Sequence, residues 1–285
     1  MPRVAVIVPC FNDGETLPDA LASLAGQEEH ELVVVDDGSD DPATLQVLAQ
    51  AEQDGILVVH RPNGGLSQAR MTGVEATSAP YVQPLDADDE LAVGAIAALA
   101  DALDGDPEAA LAWGDAEIWG ELETEVRVGR HLDPWLVAHL NTLPVASMVR
   151  RDALVEAGGW QLPSGYEDWD LWMALAERGR RGRYVPRVTL RYRRRGGRML
   201  AGCIPRHDEL YALLQRRHPA LFAARRRNWL RSKAPLTARA FIPLVAALPL
   251  TDYEKSRWFQ LAHDPRQFLR LRRLRRDAER VAAAG

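Results

Sequence analysis

Short unbroken apolar runs alternate with segments whose apolar residues recur every three or four positions. Val4–Val8 reads as a strand, stopped by Pro9. Leu17, Leu21 and Leu24 then repeat at helical spacing. Leu32–Val35 is a second buried-type strand, followed by a helical stretch carrying Leu45 and Leu48. Ile56–Val59 is a third strand, Ser67–Thr77 a helix, and Tyr81–Leu85 a fourth strand. Leu91, Ile96, Leu99 and Leu103 mark one more helix. Strands alternating with helices imply an α/β fold with a mostly parallel sheet flanked by helices on both faces.

Beyond residue 110 the pattern loosens. Ala110–Trp113 and Val145–Val149 read as short strands, and Glu121–Val128 alternates as a half-exposed strand does. Glu167–Arg178 reads as a helix with Trp172 and Leu175 on one face, and Val185–Tyr192 returns to strand. From about residue 203 the chain reads as helical and arginine-rich.

Ligands of parallel sheets sit at the carboxyl ends of the strands. Those ends carry Phe11-Asn12, Asp36-Asp37, Arg61-Pro62-Asn63 and Asp86-Ala87-Asp88. Asp86, Asp88 and Asp89 crowd into four positions and repel one another unless a positive group sits among them. A hard divalent cation, Mg²⁺ or Mn²⁺, fills that role with one or two carboxylates, phosphate oxygens and water. The plainer alternative, strongest for Asp89, is a cap on the helix that starts near Leu91.

Five segments in this order resemble the family 2 glycosyltransferases. They are Val6-Ile7-Val8-Pro9-Cys10-Phe11-Asn12, Glu15, Val35-Asp36-Asp37-Gly38-Ser39, Asn63-Gly64-Gly65-Leu66-Ser67-Gln68-Ala69-Arg70, and Leu85-Asp86-Ala87-Asp88-Asp89. The resemblance covers roughly residues 3–195. It implies a GT-A fold and an inverting transfer from a nucleotide sugar, most naturally a UDP-sugar. It also implies that Pro9, Phe11 and Glu15 line the base site and that Asp37 accepts a hydrogen bond from the uracil imide. Phe11 stands where the family usually has Tyr, which keeps an aromatic face but loses a hydroxyl. Arg70 is expected near the ribose or diphosphate. Asp86 and Ala87 are expected beside the ribose, and Asp88 on the metal. Asp36 has a structural alternative, bonding the turn at Gly38-Ser39.

Gly158-Gly159-Trp160 and Gly165-Tyr166-Glu167-Asp168-Trp169-Asp170 resemble the family's acceptor segment. An inverting transfer needs a carboxylate to take the acceptor's proton, and Asp168 matches the family's base. It falls in the first turn of a helix, where the dipole favours the ionised form. Glu167 and Trp160 are expected on the acceptor side. Asp170 reads as an ordinary first-turn acid. The family's His or Ser after the next strand is not evident in Leu190-Arg191-Tyr192-Arg193-Arg194-Arg195-Gly196-Gly197-Arg198. Arg195 or Arg198 would serve as a planar donor fork there, with a plain surface loop as the alternative.

Charge then divides the chain. Residues 1–177 hold 33 acids and 7 bases, and residues 178–285 hold 7 acids and 28 bases. The expected organisation is a core at 1–200, with a nucleotide-binding half to about 110 and an acceptor half after it, and a basic helical extension at 201–285. Phe268, Leu269, Leu271 and Leu274 interleave with arginines, which suits either a peripheral membrane contact through 266–280 or docking on the acidic core. Nucleic-acid binding is disfavoured because no nucleic-acid module is recognisable. Two cysteines give no disulfide framework, which points to a reducing, cytoplasmic setting, at most peripheral on the inner membrane face. No stretch approaches the roughly 20 apolar residues of a spanning helix. A sugar-1-phosphate nucleotidyltransferase would want a basic phosphate loop after the first strand, and Cys10-Phe11-Asn12-Asp13-Gly14 is acidic. A non-catalytic nucleotide-sugar-binding protein would have lost the base or the metal acid, and both are present. The acceptor is open among a glycan, a lipid-linked sugar, a natural product and a peptide.

Overall fold

The computed structural model describes residues 1–120, 123–163, 165–194 and 203–282, without the side chains of Ile204 and 275–282. β1 (Val4–Cys10) is buried at every position, as a central strand covered on both faces must be. β2 (Glu31–Asp36) and then β3 (Leu57–His60) lie to one side of it, and β4 (Tyr81–Pro84) to the other, all parallel. The crossovers are α1 (Leu17–Ala22), α2 (Pro42–Gln53) and α3 (Leu66–Glu75). Asp41 caps α2 by accepting the Thr44 N–H at 2.8 Å, with Pro42 at the first helical position. Gly73 lets α3 lie directly on β1, since a Cβ there would stand 2.3 Å from the Ile7 side chain.

The second half adds β6 (Ala109–Gly120), β7 (Thr124–Val126), β8 (Met148–Arg150) and β9 (Arg181–Arg194). The nine-stranded sheet runs β3-β2-β1-β4-β8-β6-β9, ends in β5 (Glu90–Leu91), and carries β7 on β6. Strands β1 to β4, β6 and β9 share one direction, and β5, β7 and β8 oppose it. The sheet is thus mostly parallel, as the alternating pattern implied. Two local expectations change. Leu91 lies in β5, and the next helix, α4 (Ala95–Asp104), begins only after Gly94 at φ 69°. Of Val145–Val149 only the end is strand, because Pro144 and Ser147 form a turn closed at 2.7 Å.

Helix α5 (Arg151–Ala157) ends on Gly158 in the left-handed conformation. Helix α6 (Glu167–Glu177) is buried almost all round, including both Trp169 and Trp172. Such a helix belongs inside a protein rather than on its surface. Part of the C-terminal extension helps to enclose it. Helices α7 (His207–Arg217) and α8 (Pro219–Ala223) add Tyr211, Leu214 and Leu221 to the same core. Then come α9 (Arg225–Arg231), α10 (Leu236–Ala246), α11 (Asp252–His263) and α12 (Pro265–Ala282). Ala238, Ile242 and Phe259 of α10 and α11 pack on Trp135, Leu136 and Leu140. Helix α12 touches the sheet through Gln267, which exchanges bonds of 2.9 and 3.1 Å with the Arg127 backbone, and through Arg270 on the Glu125 carbonyl. Among the described residues no helix is long and apolar enough to cross a membrane.

Candidate active site

Parallel register sets the ends of the strands level, with Cys10 beside Asp36 and Asp36 beside His60. The chain leaving β1 turns at Asn12, whose φ is 56°. Its side-chain oxygen accepts the N–H groups of Asp40 and Asp41, both at 3.0 Å. Two loops are thereby fixed to each other. Pro9 is buried within β1, while Phe11 and Glu15 stand exposed at the rim. Asp36 is structural: it accepts the Ser39 N–H at 2.9 Å and meets His60 Nδ1 at 2.8 Å. Asp37 is buried and organises the next loop. It accepts the N–H groups of Gly64 at 3.1 Å and Gly65 at 2.7 Å and pairs with Arg61. Gly65 sits at φ 88°, a conformation that suits glycine, and opens α3.

Arg70 does not face the ligand space as the sequence led one to expect. It is fully buried. One guanidinium nitrogen donates to Asp86 at 2.6 Å and another to Glu167 at 3.0 Å. Burial opposes its charge, and Asp86 and Glu167 more than offset that, so it is held still more firmly protonated. Trp160 lies 5.6 Å from this guanidinium and is itself 3% exposed. Its ring supports Arg70 rather than offering an open face to an acceptor. Glu167 likewise spends an oxygen on Arg70, so it braces the site from within.

Asp86, Asp88 and Asp89 each bring a ligand atom within 4.8 Å of the others. Oxygens on opposite sides of an Mg²⁺ or Mn²⁺ shell lie roughly 4.2 Å apart, so the cluster fits such an ion with small adjustment. Ala87 is buried between them. Asp89 is not a helix cap: it accepts the backbone N–H of Arg193 at 2.9 Å. Arg193 also donates to the Asp88 carbonyl at 3.2 Å, reaches Asp19 at 2.5 Å and packs 4.0 Å from the Trp119 ring. The end of β9 thus latches the acidic loop. Arg195 and Arg198 lie outside the described residues.

Asp168 occupies the first turn of α6, as expected. One oxygen accepts from the side-chain amide of Asn141 at 2.8 Å, the other from the Trp169 N–H at 2.7 Å. Desolvation, then the neighbouring Glu167, push its pKa up to about 6, against the pull of Asn141, the Trp169 N–H and Arg70. That value suits a proton acceptor near neutral pH. Tyr166, just before the helix, holds φ 62°, an uncommon strained conformation for a large side chain. Its hydroxyl shares a 2.7 Å hydrogen bond with His207 Nδ1 of α7. Asp170 proves to be an anchor for the extension. It receives Arg217 at 2.7 and 3.0 Å and meets His218 Nε2 at 2.9 Å.

Sequence reading missed Asn141, Arg61, Arg193 and His207 as partners of the site. No local pattern marks these pairings, because each joins groups 24 or more residues apart, Arg193 through its backbone N–H and the others through side chains.

The chain matches the family model described as glycosyl transferase family 2 over residues 5–149. The glycosyltransferase Rv0539 of Mycobacterium tuberculosis is 33% identical over 178 residues, covering 57% of this chain and 74% of the relative. The poly-beta-1,6-N-acetyl-D-glucosamine synthase of Staphylococcus aureus is 26% identical over 197 residues, covering 64% of this chain and 48% of the synthase. Among solved structures, TarS 1-349 of S. aureus in complex with UDP-GlcNAc aligns at a TM-score of 0.60 and 17% identity, covering 94% of this chain and 83% of TarS. That likeness establishes the GT-A fold. With the family match spanning half of the chain and the acids gathered at the sheet's carboxyl edge, this chain is a glycosyltransferase and belongs to glycosyl transferase family 2.

Proposed function

We propose that this enzyme moves a sugar from a nucleotide donor, a UDP-sugar, to an acceptor hydroxyl with inversion at the anomeric carbon. The observation that carries the reading is the Asp86–Arg70–Glu167 bridge, which ties the acidic loop to the helix bearing Asp168. Donor and base are thereby held in one frame. Pro9, Phe11, Glu15 and Asp37 bound the base site, with Phe11 offering an exposed ring for stacking. Asp86 and Ala87 take the ribose side, with Arg70 fixing Asp86. Asp88, with its neighbours Asp86 and Asp89, would hold Mg²⁺ or Mn²⁺. Such an ion supplies positive charge beside the diphosphate as it departs.

Asp168 receives the proton of the acceptor hydroxyl as that oxygen bonds to C1 of the sugar. The C1–O bond to the diphosphate breaks, and its electron pair leaves with the nucleotide. Asn141 and the Trp169 N–H keep the Asp168 carboxylate oriented, and Glu167 braces the same turn through Arg70. Trp160 acts on the acceptor side only through Arg70. The name of the TarS complex supports a UDP-sugar, and the buried, disulfide-free Cys10 and Cys203 support a cytoplasmic location.

A calorimetric screen of nucleotide sugars, with and without Mn²⁺ or Mg²⁺, tests the donor and the metal together. The reading expects metal-dependent binding of UDP and slow UDP release from the matching UDP-sugar. No UDP binding in the presence of either metal would sink it.

A further inference from the structure

The outer side of α10 is an anomaly for a surface helix. Ala238 and Ile242 face inward and are fully buried. The opposite side carries Leu236 at 79% exposure, Phe241 at 57% and Leu244 at 66%, with the exposed Leu248 just beyond. The positions between them on that side are Thr237, Ala240, Pro243 and Ala247, so it holds no charge. Flanking helices add the exposed Leu230 and Trp258. A helix apolar on both sides buries both, and contiguous exposed apolar surface marks a contact.

The surrounding charge says which contact. From Leu210 to Thr251 there are eight bases and no acid. Arg225, Arg226, Arg227, Arg231 and Lys233 are exposed immediately before α10. Among the described residues none of Arg226, Arg227, Arg231 and Lys233 has an ion-pair partner. A bare apolar helix face edged by unpaired arginines matches the boundary between acyl chains and anionic headgroups. A second copy would set like charges against each other. A nucleic acid would leave Phe241 and Leu244 unmatched.

We infer that the outer face of α10, with the basic cluster of α9, docks this enzyme on an anionic phospholipid surface. The face lies in plane and buries only side chains, consistent with the lack of a spanning helix among the described residues. The contact therefore centres on residues 225–248. The amphipathic segment 266–280 is a secondary arm, because α12 is already held to residues 125–127 by Gln267 and Arg270.

Vesicle flotation of the full chain tests this, using phosphatidylcholine with and without phosphatidylglycerol. The wild type should float with phosphatidylglycerol vesicles and less so as salt rises. Phe241→Asp with Leu244→Asp should weaken partition ~10-fold or more, and Arg226→Glu with Arg227→Glu should weaken it on anionic vesicles alone. Leu269→Asp should have a smaller effect. These positions lie outside the donor site, so the melting temperature and UDP binding should not change, which shows that the variants fold. The inference fails if the wild type stays with the soluble fraction, or if the Phe241/Leu244 variant floats as well as wild type. It fails also if the wild type is a dimer in solution that this variant makes monomeric, since the face would then join two copies. None of these outcomes depends on which sugar donor the enzyme uses.

Discussion

At the scale of single residues, the site works by setting neighbours against each other around Asp168. Desolvation and Glu167 raise its pKa to about 6, while Asn141 and the Trp169 N–H stabilise the charged form. As the proposed base, Asp168 would act only when ionised, so the competent fraction should be lost as pH falls through about 6. We expect kcat/KM to rise roughly tenfold per pH unit below that value and to level off above it. A profile flat from pH 5 to 8 would separate Asp168 from proton transfer. Asn141→Ala removes a donor to the carboxylate, so the acidic limb should move up by about one unit with the fold intact. A loss of rate without that movement would make Asn141 a packing residue instead. Asp168→Asn keeps the shape of the side chain and removes the base. UDP binding should persist while turnover falls by ~10² to 10⁴, and normal turnover would refute the assignment.

At the scale of elements, the fold was legible wherever local chemistry fixed the geometry. The apolar run of β1, the Leu45 and Leu48 spacing of α2 and the helical stretch of α3 each declare themselves in the sequence. So did the carboxyl-edge acids, because alternation of strand and helix decides which loops share an edge. What escaped were roles set by tertiary partners. Arg70 is expected from the sequence beside the ribose or diphosphate, yet burial turns it into a brace between two elements. Asp170 reads as a first-turn acid, yet it grips the end of α7. Leu91 fits a helical period, yet Gly94 delays the helix and β9 claims Leu91 as a strand. These braces are testable. Arg70→Met strands Glu167 in the interior and leaves the half-buried Asp86 without its partner, and removing one partner of a buried charge pair costs about 3 to 5 kcal/mol. Thermal denaturation should register that as a large drop in Tm. Arg70→Lys should recover only part, since a single ammonium lacks the planar fork that reaches both acids. Full recovery by lysine would show that charge alone matters there.

At the scale of the whole molecule, the charge division of the sequence acquires a physical meaning. The acidic part gathers Asp86, Asp88 and Asp89 at the carboxyl edge of the sheet, where the proposed donor would need a cation to bring its diphosphate among them. The basic part is fastened to the back of α6 by Asp170, by the Tyr166–His207 bond and by the shared core of Tyr211, Leu214 and Leu221. The extension is therefore part of what positions Asp168, the proposed base. Tyr166 holds a strained backbone one residue before α6, and His207 of α7 is what secures its hydroxyl. Loosening α7 should consequently be felt at Asp168. Asp170→Ala leaves the donor loops untouched while freeing Arg217 and His218. Limited proteolysis should then cut earlier in the residues following 203, and kcat should fall with little change in affinity for UDP. If both kcat and UDP affinity stayed at wild-type levels while proteolysis quickened, the extension would be stabilising the fold without setting the geometry of the base. If UDP affinity fell in step with kcat, the donor edge and the helix would be coupled more tightly than the Arg70 bridge alone provides.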